Sequence, residues 1–312
     1  MKRGSSGLNL LLGVDKPEGL SSHDVVNRVR GILKERRVGH AGTLDPSATG
    51  VMVVGVGQGT RLMGLLTAET KSYVATIAFG TSTNTDDAEG EVTDRKDVPA
   101  TLEDPSVARG VLEGLVGPQL QTPPAYSAIS VDGRRAYQRA RAGEELDLKA
   151  RPIDVKEAML LGVDRRDSDG TLLWTCVFTV SKGTYIRAIA RDLGQAAGTC
   201  AHLGALRRTA SGPVTLRHCV TLKELSERGA ERVGDVCLDP VEALGLARCD
   251  LSAAELEDVM CGRRLSRRGR GLEEGELVCM VHGDKLYGVW EAKDRSVRSK
   301  VSFPQGVSGV GA

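Results

Sequence analysis

The sequence predicts an α+β fold, in which helices and strands follow one another without a regular strand–helix–strand rhythm. Apolar residues recur at helical spacing in some segments, such as 185–196, and alternate with polar residues in others, such as 71–80. No period of about 20–50 residues repeats along the chain, which excludes a solenoid. A chain of 312 residues forms one large domain or two.

Each element of the first half follows from its spacing of apolar residues and from its capping or turn residues. Residues 1–9 are a loose basic tail rich in glycine and serine. The segments that follow are a strand at 10–14, a helix capped by Ser21 or Ser22, a glycine-rich stretch at 39–59, a strand at 71–80, an acidic connection at 81–105, a helix at 106–115 and a basic helix at about 133–142.

The second half begins with a predicted β-hairpin, because the strands at 153–163 and 171–182 flank a turn-like segment. The later segments are helices at 185–196, 222–228, 241–244 and 252–261, and then strands near 277–281, 285–291 and 298–303. The change to a small β-rich region places a domain boundary near 245. We therefore predict two domains, at 1–244 and 245–312.

The net charge of +1 argues at first against a nucleic-acid-binding protein, which usually has a basic excess. The charge is strongly segregated, however. Four windows carry net charges of +4, +3, +5 and +5, namely 28–40, 130–143, 181–217 and 260–271. Residues 81–105 carry −6. The basic windows fit a polyanion-binding surface, or they pair with acidic segments on a solvated surface.

The sequence contains no apolar run of the roughly 18 residues that a membrane helix needs, and its N-terminus does not resemble a signal peptide. The seven cysteines form no Cys-x-x-Cys pair, so neither a zinc site nor a disulfide framework is indicated. These features predict a cytoplasmic protein without membrane association and without a metal.

The densest motif runs from Gly39 to Gly50 and places Asp45 among glycines and small residues. Glycines permit tight turns and close approach of a ligand, and Pro46 restricts Asp45 to an extended conformation. A carboxylate on such a loop is held in place without crowding. The alternative is an ordinary turn in which Asp45 accepts local hydrogen bonds.

Five motifs now occur in an order and spacing that resemble the TruB family of bacterial tRNA pseudouridine synthases. They are the segment 15–19 together with the Gly39–Gly50 loop, followed by 71–73, 121–128, 181–187 and 206–208. The resemblance covers residues 8 to about 240. The remaining residues resemble the small RNA-binding PUA module of that family, chiefly through 275–278 and 301–304.

The resemblance implies a pseudouridine-synthase core with a mixed or antiparallel sheet flanked by helices, followed by a PUA-like domain. It implies that uridine 55 in the T-loop of tRNA is flipped out and converted to pseudouridine. Substrate and product are isomers, so neither a cofactor nor a metal is expected. The implied partner is the tRNA T-stem-loop, with no membrane and no obligate protein partner.

Four residues match the family's catalytic pocket. Asp45 matches its catalytic aspartate, which acts as a nucleophile or as a base at the sugar. Arg187 matches the arginine that pairs with this aspartate, and Tyr73 matches the ring that packs on the target base. Tyr185 matches a tyrosine with a supporting role. From pattern alone, Tyr73 also fits a strand core residue and Arg187 an ordinary residue of a helix face.

Four further residues are candidates for RNA binding. His40 resembles the histidine that helps reshape the T-loop as the uridine leaves, or it is a turn histidine bonded to the backbone. Lys16, Arg207 and Arg208 are candidate phosphate contacts. The chain departs from the family at Met52 and Val53, where Leu-Pro is common.

Three alternatives are weighed against catalysis at uridine 55 of tRNA. A synthase with a related fold that acts on ribosomal RNA, or on RNA chosen by a guide, is disfavoured because the motifs look bacterial and the chain lacks extensions that would suggest guide-dependent partners. A nucleotide-binding loop at 55–60 is disfavoured, because this glycine-rich segment lacks the spacing of both common phosphate-binding motifs. A non-catalytic RNA-binding or tRNA-folding protein on the same scaffold is the main alternative. The presence of both Asp45 and Arg187 argues against a loss of catalysis.

Overall fold

The computed structural model describes residues 6–67, 70–127, 129–131, 134–136, 139, 144 and 148–311. Its strands are β1 Leu10–Lys16, β2 Val38–Ala41, β3 Thr49–Val56, β4 Lys71–Phe79, β5 Thr81–Thr83, β6 Val92–Arg95, β7 Gly117–Gln121, β8 Ser130–Val131, β9 Arg134–Arg135, β10 Arg151–Arg165, β11 Leu172–Val180, β12 Ala201–Ser211, β13 Val214–Thr215, β14 Cys219–Val220, β15 Cys237–Leu238, β16 Ala247–Asp250, β17 Leu265–Ser266, β18 Leu277–His282, β19 Lys285–Lys293 and β20 Ser296–Ser308.

The α-helices carry side-chain caps at several of their N-termini, which satisfy backbone N–H groups that the helix leaves open. Ser21 caps the first long helix through a reciprocal capping box with Asp24. The helices are α1 Ser22–Leu33, α2 Met63–Leu66, α3 Pro105–Glu113, α4 Ile186–Ala196, α5 Leu222–Arg228, α6 Pro240–Leu244 and α7 Ala253–Met260.

The chain divides into two compact units, the first formed by Met1–Glu69 with Ala210–Ala312 and the second by Thr70–Thr209. In the first unit, β3 pairs with β1 in antiparallel register, and β2 pairs with β3. Strands β14 and β15 both pair with β1. Because side chains alternate along a strand, Leu11 faces one hydrophobic cluster, whereas Leu10 and Leu12 face another that includes the buried side of α1.

The C-terminal residues of the first unit build a separate five-stranded sheet with the order β16-β18-β19-β20-β17. One face of this sheet supplies Cys279 and Phe303 to the cluster that holds Leu11, Val51 and Val53. The C-terminal sheet therefore shares a core with the strands β1 and β3. The predicted division into domains at 244/245 stays a proposal.

In the second unit the sheet has the order β12-β4-β11-β10-β7. Strands β4 and β11, β11 and β10, and β10 and β7 are antiparallel neighbours. Phe79 and Trp174 pack with ring centroids 4.6 Å apart, and Trp174 donates its indole N–H to the Leu102 carbonyl oxygen. A small hairpin of β5 and β6 precedes α3.

The predicted α+β class and the mixed sheet flanked by helices are confirmed. The acidic connection at 81–105 also contains the hairpin of β5 and β6. The basic helix predicted at about 133–142 is wrong at its start, where Arg134–Arg135 forms a strand paired with Ser130–Val131. Most of its remaining residues lie outside the described part of the chain. None of the described helices is long and apolar enough to cross a membrane.

Candidate active site and RNA-binding residues

Asp45 lies on the loop between β2 and β3, the most sharply turned part of the predicted motif. The loop begins at Gly42, whose φ of +77° is costly for residues with a side chain. The Asp45 carbonyl oxygen accepts a hydrogen bond from the Ala48 N–H at 3.1 Å, which closes a tight turn around Pro46. Asp45 itself is the first residue of this turn and is half-buried.

Lys16 at the end of β1 binds the backbone of this loop through its ammonium group. Its ammonium group donates to the carbonyl oxygens of Pro17 at 2.9 Å, Pro46 at 3.0 Å and Ala48 at 2.6 Å. The side chain is fully buried, so this charge is compensated by oriented carbonyl dipoles rather than by water. The two loop carbonyls lie one and three positions after Asp45, and Lys16 thereby fixes the backbone that follows it.

Ser22 provides a second support at the start of α1. Its buried hydroxyl donates to the Leu44 carbonyl oxygen at 3.0 Å and accepts from the Leu44 N–H at 2.9 Å. Because Leu44 directly precedes Asp45, the N-terminus of α1 and the end of β1 hold the loop from both sides. Such support keeps a reacting group within the narrow tolerance that catalysis needs.

The glycine-rich segment after β3 has a packing role. A Cβ atom on Gly57 would overlap the Leu8 carbonyl oxygen, and one on Gly59 would overlap the Leu10 carbonyl oxygen. Both glycines therefore let the backbone pack directly against the start of β1 and the residues just before it. This close approach accounts for the glycines that the nucleotide-binding alternative had invoked.

His40 lies within β2, opposite Val54 of β3, and is half-buried. It is thus a strand residue placed five positions before Asp45, in the same unit as Lys16. The alternative of a histidine in a turn is wrong, because the residue belongs to a paired strand.

In the second unit, Tyr73 lies in β4 in register with Phe178 of β11. It is 7% exposed and shares the buried face of the strand with Ala75 and Ile77. The alternation predicted for this strand is confirmed. A role in stacking on a base stays a prediction.

Tyr185 precedes α4, and its backbone is tied to Gln121 at the end of β7. The Tyr185 N–H donates to Gln121 Oε1 at 2.9 Å, and Gln121 Nε2 donates to the Tyr185 carbonyl oxygen at 3.1 Å. The Gln121 side chain is buried, so both amide atoms find their partners in this one residue. The N-terminus of α4 is thereby fixed to the sheet.

Arg187, in the first turn of α4, is 6% exposed. Its guanidinium donates to the Thr85 carbonyl oxygen at 2.9 Å and to the Tyr126 carbonyl oxygen at 3.0 Å, and it lies 3.5 Å from Asp87 Oδ2. The fixed fork of donors therefore bridges the turn after β5 and the segment after β7. An arginine held in this way presents its charge in one orientation.

Arg191, one helical turn later, bridges the same two segments. It donates to Asp86 Oδ2 at 2.9 Å and to the Thr122 carbonyl oxygen at 2.8 Å. Burial raises the pKa of the Asp86 carboxyl above its ordinary value, and the charge of Arg191 offsets part of this effect. We call the two arginines with Asp86 and Asp87 the arginine clasp.

The candidates for phosphate contact occupy different environments. Lys16 and Arg208 have no exposed surface, and Arg207 is half-buried. A contact with phosphate needs an accessible charge, so the structure does not favour Lys16 or Arg208 in that role. The Lys16 ammonium is instead engaged with the loop that carries Asp45.

Sequence reasoning missed several residues that surround the predicted ones. Gln121 belongs to a quoted motif without an assigned role, and Asp86 and Asp87 were counted only as part of an acidic connection. The acidic pair and Arg191 are about 100 positions apart, so no local pattern links them. The signal that remained was the density of carboxylates at 81–105.

The five arginines of the basic segment at 260–271 fall into two groups, those that pair with a carboxylate and those that do not. Arg263 pairs with Asp258, Arg267 with Glu274, and Arg270 with Glu255. Within the described residues, the guanidinium groups of Arg264 and Arg268 have no hydrogen bond or ion pair, and both residues are exposed. These two charges remain available to an anionic ligand.

The described residues contain no group of three or more His, Cys, Asp or Glu side chains that is arranged to hold a metal ion. The prediction that the reaction needs no metal and no cofactor stays a prediction.

Family models match most of the chain. Residues 30–186 match the N-terminal domain of the TruB family of pseudouridylate synthases, and residues 187–244 match the C-terminal domain of tRNA pseudouridylate synthase B. Curated relatives extend this similarity. The chain is 50% identical to tRNA pseudouridine synthase B of Thermobifida fusca over 258 residues, which cover 82% of this chain and 86% of that protein.

A second relative, tRNA pseudouridine synthase B of Mycobacteroides abscessus, is 48% identical over 292 residues, covering 93% of this chain and 95% of that protein. Among solved structures, Cbf5 in an archaeal box H/ACA complex with Nop10 is similar in fold, with a TM-score of 0.70 and 23% identity over 96% of this chain and 88% of that one. Cbf5 in a complex with Nop10 and Gar1 gives a TM-score of 0.72 at 24% identity over 96% and 87% of the two chains.

Proposed function

The chain belongs to the TruB family of pseudouridylate synthases, and from this membership we propose that it converts uridine 55 in the T-loop of tRNA to pseudouridine. The resemblance of its motifs to that family is thereby confirmed. The observation that carries the proposal is Asp45 on a loop fixed by Lys16 and Ser22. Curated relatives of nearly the same length, named for this reaction on tRNA, support the substrate class.

The reaction rearranges one nucleotide without adding or removing atoms. The C1′–N1 bond to uracil breaks, the base turns over, and a C1′–C5 bond forms. The proton on C5 leaves and N1 takes one up, so the product is an isomer of the substrate. A carboxylate on a rigid loop suits this chemistry, since it is ionised at neutral pH and acts either as a nucleophile or as a base at the sugar.

We assign Arg187 as the positively charged partner of the Asp45 carboxylate. Its backbone contacts to Thr85 and Tyr126 fix the guanidinium plane, so little rotamer entropy remains to be lost when it binds a carboxylate. A fixed cation beside a carboxylate keeps that carboxylate ionised and oriented.

Recognition of the flipped base is assigned to two tyrosines. Tyr73, which is 7% exposed in β4, is assigned the stacking contact with the base, and Tyr185 at the N-terminus of α4 is assigned the supporting role. A base that leaves the stack of a loop needs a replacement surface of this kind. His40 is assigned to the reshaping of the T-loop and Arg207 to a phosphate contact.

The C-terminal sheet is assigned to a PUA-like domain at 245–312 that binds RNA outside the reacting loop. The exposed guanidinium groups of Arg264 and Arg268 support this assignment, because they retain their capacity for bidentate contacts with phosphate. We place the enzyme in the cytoplasm, acting on tRNA without a membrane, a cofactor or an obligate protein partner.

The test compares Asp45→Asn with wild-type protein on an in vitro transcribed tRNA labelled with tritium at uridine C5. Release of tritium reports the loss of the C5 proton, and filter binding reports the dissociation constant. Asp235→Asn is the matched control, because Asp235 is an exposed aspartate of the same unit and pairs with Arg228 and Arg232.

We expect Asp45→Asn to bind tRNA as tightly as wild type and to release no tritium, whereas Asp235→Asn keeps full activity. Activity retained by Asp45→Asn would contradict the catalytic assignment. Tight binding by wild-type protein without any tritium release would favour the non-catalytic RNA-binding or tRNA-folding alternative.

A further inference from the structure

Arg191 makes contacts that the proposed chemistry does not require, yet they repeat the pattern of Arg187. Both arginines lie on α4, four positions apart, and so project from the same helix face. Each donates to a backbone carbonyl in the segment 122–126 that follows β7, and each pairs with a carboxylate in the turn after β5. Two consecutive helical turns therefore grip the same two segments.

The segments held by Arg191 are the ones that hold Arg187. Asp86, which pairs with Arg191, directly follows Thr85, whose carbonyl oxygen accepts from Arg187. Thr122, which accepts from Arg191, lies in the same connection as Tyr126, which accepts from Arg187. A shift of either segment would move an acceptor of the Arg187 guanidinium.

The turn at Asp86 is held in an uncommon backbone conformation. Asp86 has a φ of +61°, a region that residues with a side chain enter at an energetic cost. Its carbonyl oxygen accepts from the Leu203 N–H at 3.0 Å, and the Ala88 N–H donates to the Leu203 carbonyl oxygen. Backbone strain of this kind persists where surrounding contacts determine the conformation, and the Asp86–Arg191 pair is one such contact.

We propose that Arg191, through Asp86 and Thr122, is a positioning residue for Arg187. It fixes the two segments from which the Arg187 guanidinium takes its orientation, and it touches no reacting atom itself. This inference rests on the proposed function, in which Arg187 pairs with Asp45. Its chemistry requires a planar fork, because Nη1 donates to the Asp86 carboxylate and Nη2 to the Thr122 carbonyl, and the single nitrogen of a lysine cannot occupy both positions.

The experiment measures the single-turnover rate at saturating tRNA, the dissociation constant and the melting temperature of Arg191→Met and Asp86→Asn. Arg165→Met is the matched control, since it removes an arginine–carboxylate pair with Glu103 that is exposed and belongs to the same unit. We expect Arg191→Met to slow the reaction on the order of 10- to 100-fold, with a dissociation constant within about threefold of wild type.

Asp86→Asn keeps the shape of the side chain and is expected to slow the reaction less than Arg191→Met. Arg191→Lys keeps the charge and loses the fork, so we expect it to recover only part of the rate. If Arg191→Met does not fold, the same comparison is made with Asp86→Asn and Arg191→Lys.

A double-mutant cycle with Arg187→Lys separates positioning from a general loss of structure. If Arg191 acts through Arg187, then adding Arg191→Met to the Arg187→Lys variant should lower the rate by less than about threefold, a smaller loss than in the wild-type background. A purely structural role would give the same loss in both backgrounds and would overturn the inference. Rates for Arg191→Met and Asp86→Asn equal to that of Arg165→Met would overturn it as well.

Failure of the proposed function gives a different result. In that case wild-type protein and Asp45→Asn do not differ in tritium release, whatever Arg191 does. Failure of the present inference leaves wild type active and Asp45→Asn inactive, with Arg191→Met as fast as its control.

Discussion

At the scale of single residues, a few buried charges hold the backbone around the candidate site. Lys16 is compensated by three carbonyl oxygens, and Arg187 by two carbonyl oxygens and the Asp87 carboxylate. Burying a charge is costly unless it is hydrogen-bonded in this way. The free-energy cost of burying these charges is therefore offset only while the loops that they contact keep their carbonyl oxygens in place.

Replacing Lys16 by methionine tests this view of the Asp45 loop. Methionine fills much of the space but removes the ammonium donor of the Pro17, Pro46 and Ala48 carbonyls, of which the Pro46 carbonyl keeps a hydrogen bond from the Gly19 N–H. Since each unsatisfied buried group costs about 1–3 kcal/mol, we expect a loss of stability on the order of 3 kcal/mol and a rate at least tenfold lower. Urea unfolding and single-turnover kinetics measure the two effects.

Lys223→Met is the control, because the Lys223 side chain is 86% exposed. Stability and rate of Lys16→Met equal to those of this control would show that the loop does not depend on the buried ammonium group.

The Asp86 carboxyl gives a prediction for the pH dependence of stability. Burial raises its pKa in the folded state above the unfolded value, so ionisation opposes folding. The stabilisation that protonated Asp86 contributes to the folded state is fully present below the pKa of the unfolded state, and it is lost as the pH rises through the folded-state pKa. The melting temperature of wild type minus that of Asp86→Asn should therefore increase as the pH falls from neutrality to about 4. A difference that decreases on acidification would contradict the direction of the shift.

At the scale of elements, the periodicity of the sequence was sufficient for α1, α4, β4 and the hairpin of β10 and β11. These elements bury one face, and burial leaves a periodic pattern. The start of the helix predicted at about 133–142 was wrong because the short strand pair at Arg134–Arg135 has too few residues to leave such a pattern.

The segment between α7 and β18 gives a prediction at this scale. Neutralising Arg264 and Arg268 together, as Arg264→Gln with Arg268→Gln, removes two exposed charges that have no partner in the described structure. We expect weaker binding of tRNA and a smaller dependence of the binding constant on salt, with a slope reduced by about 1–2. The rate at saturating tRNA should not change.

Arg263→Gln is the comparison, since Arg263 already pairs with Asp258. A double variant with the salt dependence of wild type would remove this surface from the RNA interface.

At the scale of the whole molecule, the order of five motifs was enough to predict the family, whereas the total charge pointed away from RNA. The position of Asp45 on a tight loop could be predicted because glycine and proline leave a local signal. The burial of Lys16 could not, since lysines are almost never buried and nothing in its neighbours marks it as an exception. The pairs of the arginine clasp join distant segments and appear only after folding.

The core shared by the C-terminal sheet and the strands β1 and β3 predicts how that unit unfolds. Phe303→Ala creates a cavity in the cluster that also holds Leu11 and Val51, so we expect the free energy of unfolding to fall by about 3–5 kcal/mol. We also expect the C-terminal sheet and the strands β1 and β3 to unfold in one common transition. Leu120→Ala, at a side chain 72% exposed, is the control with little effect. A separate early transition of 245–312 with full activity would instead support an independent domain.

The most direct test of the central claim maps pseudouridine in total RNA from cells that lack this gene and from the same cells carrying wild-type or Asp45→Asn protein. We predict that the modification disappears at position 55 of tRNAs alone, returns with wild type and does not return with Asp45→Asn. Retention of pseudouridine at position 55 in cells that lack the gene, or its restoration by Asp45→Asn, would contradict the account.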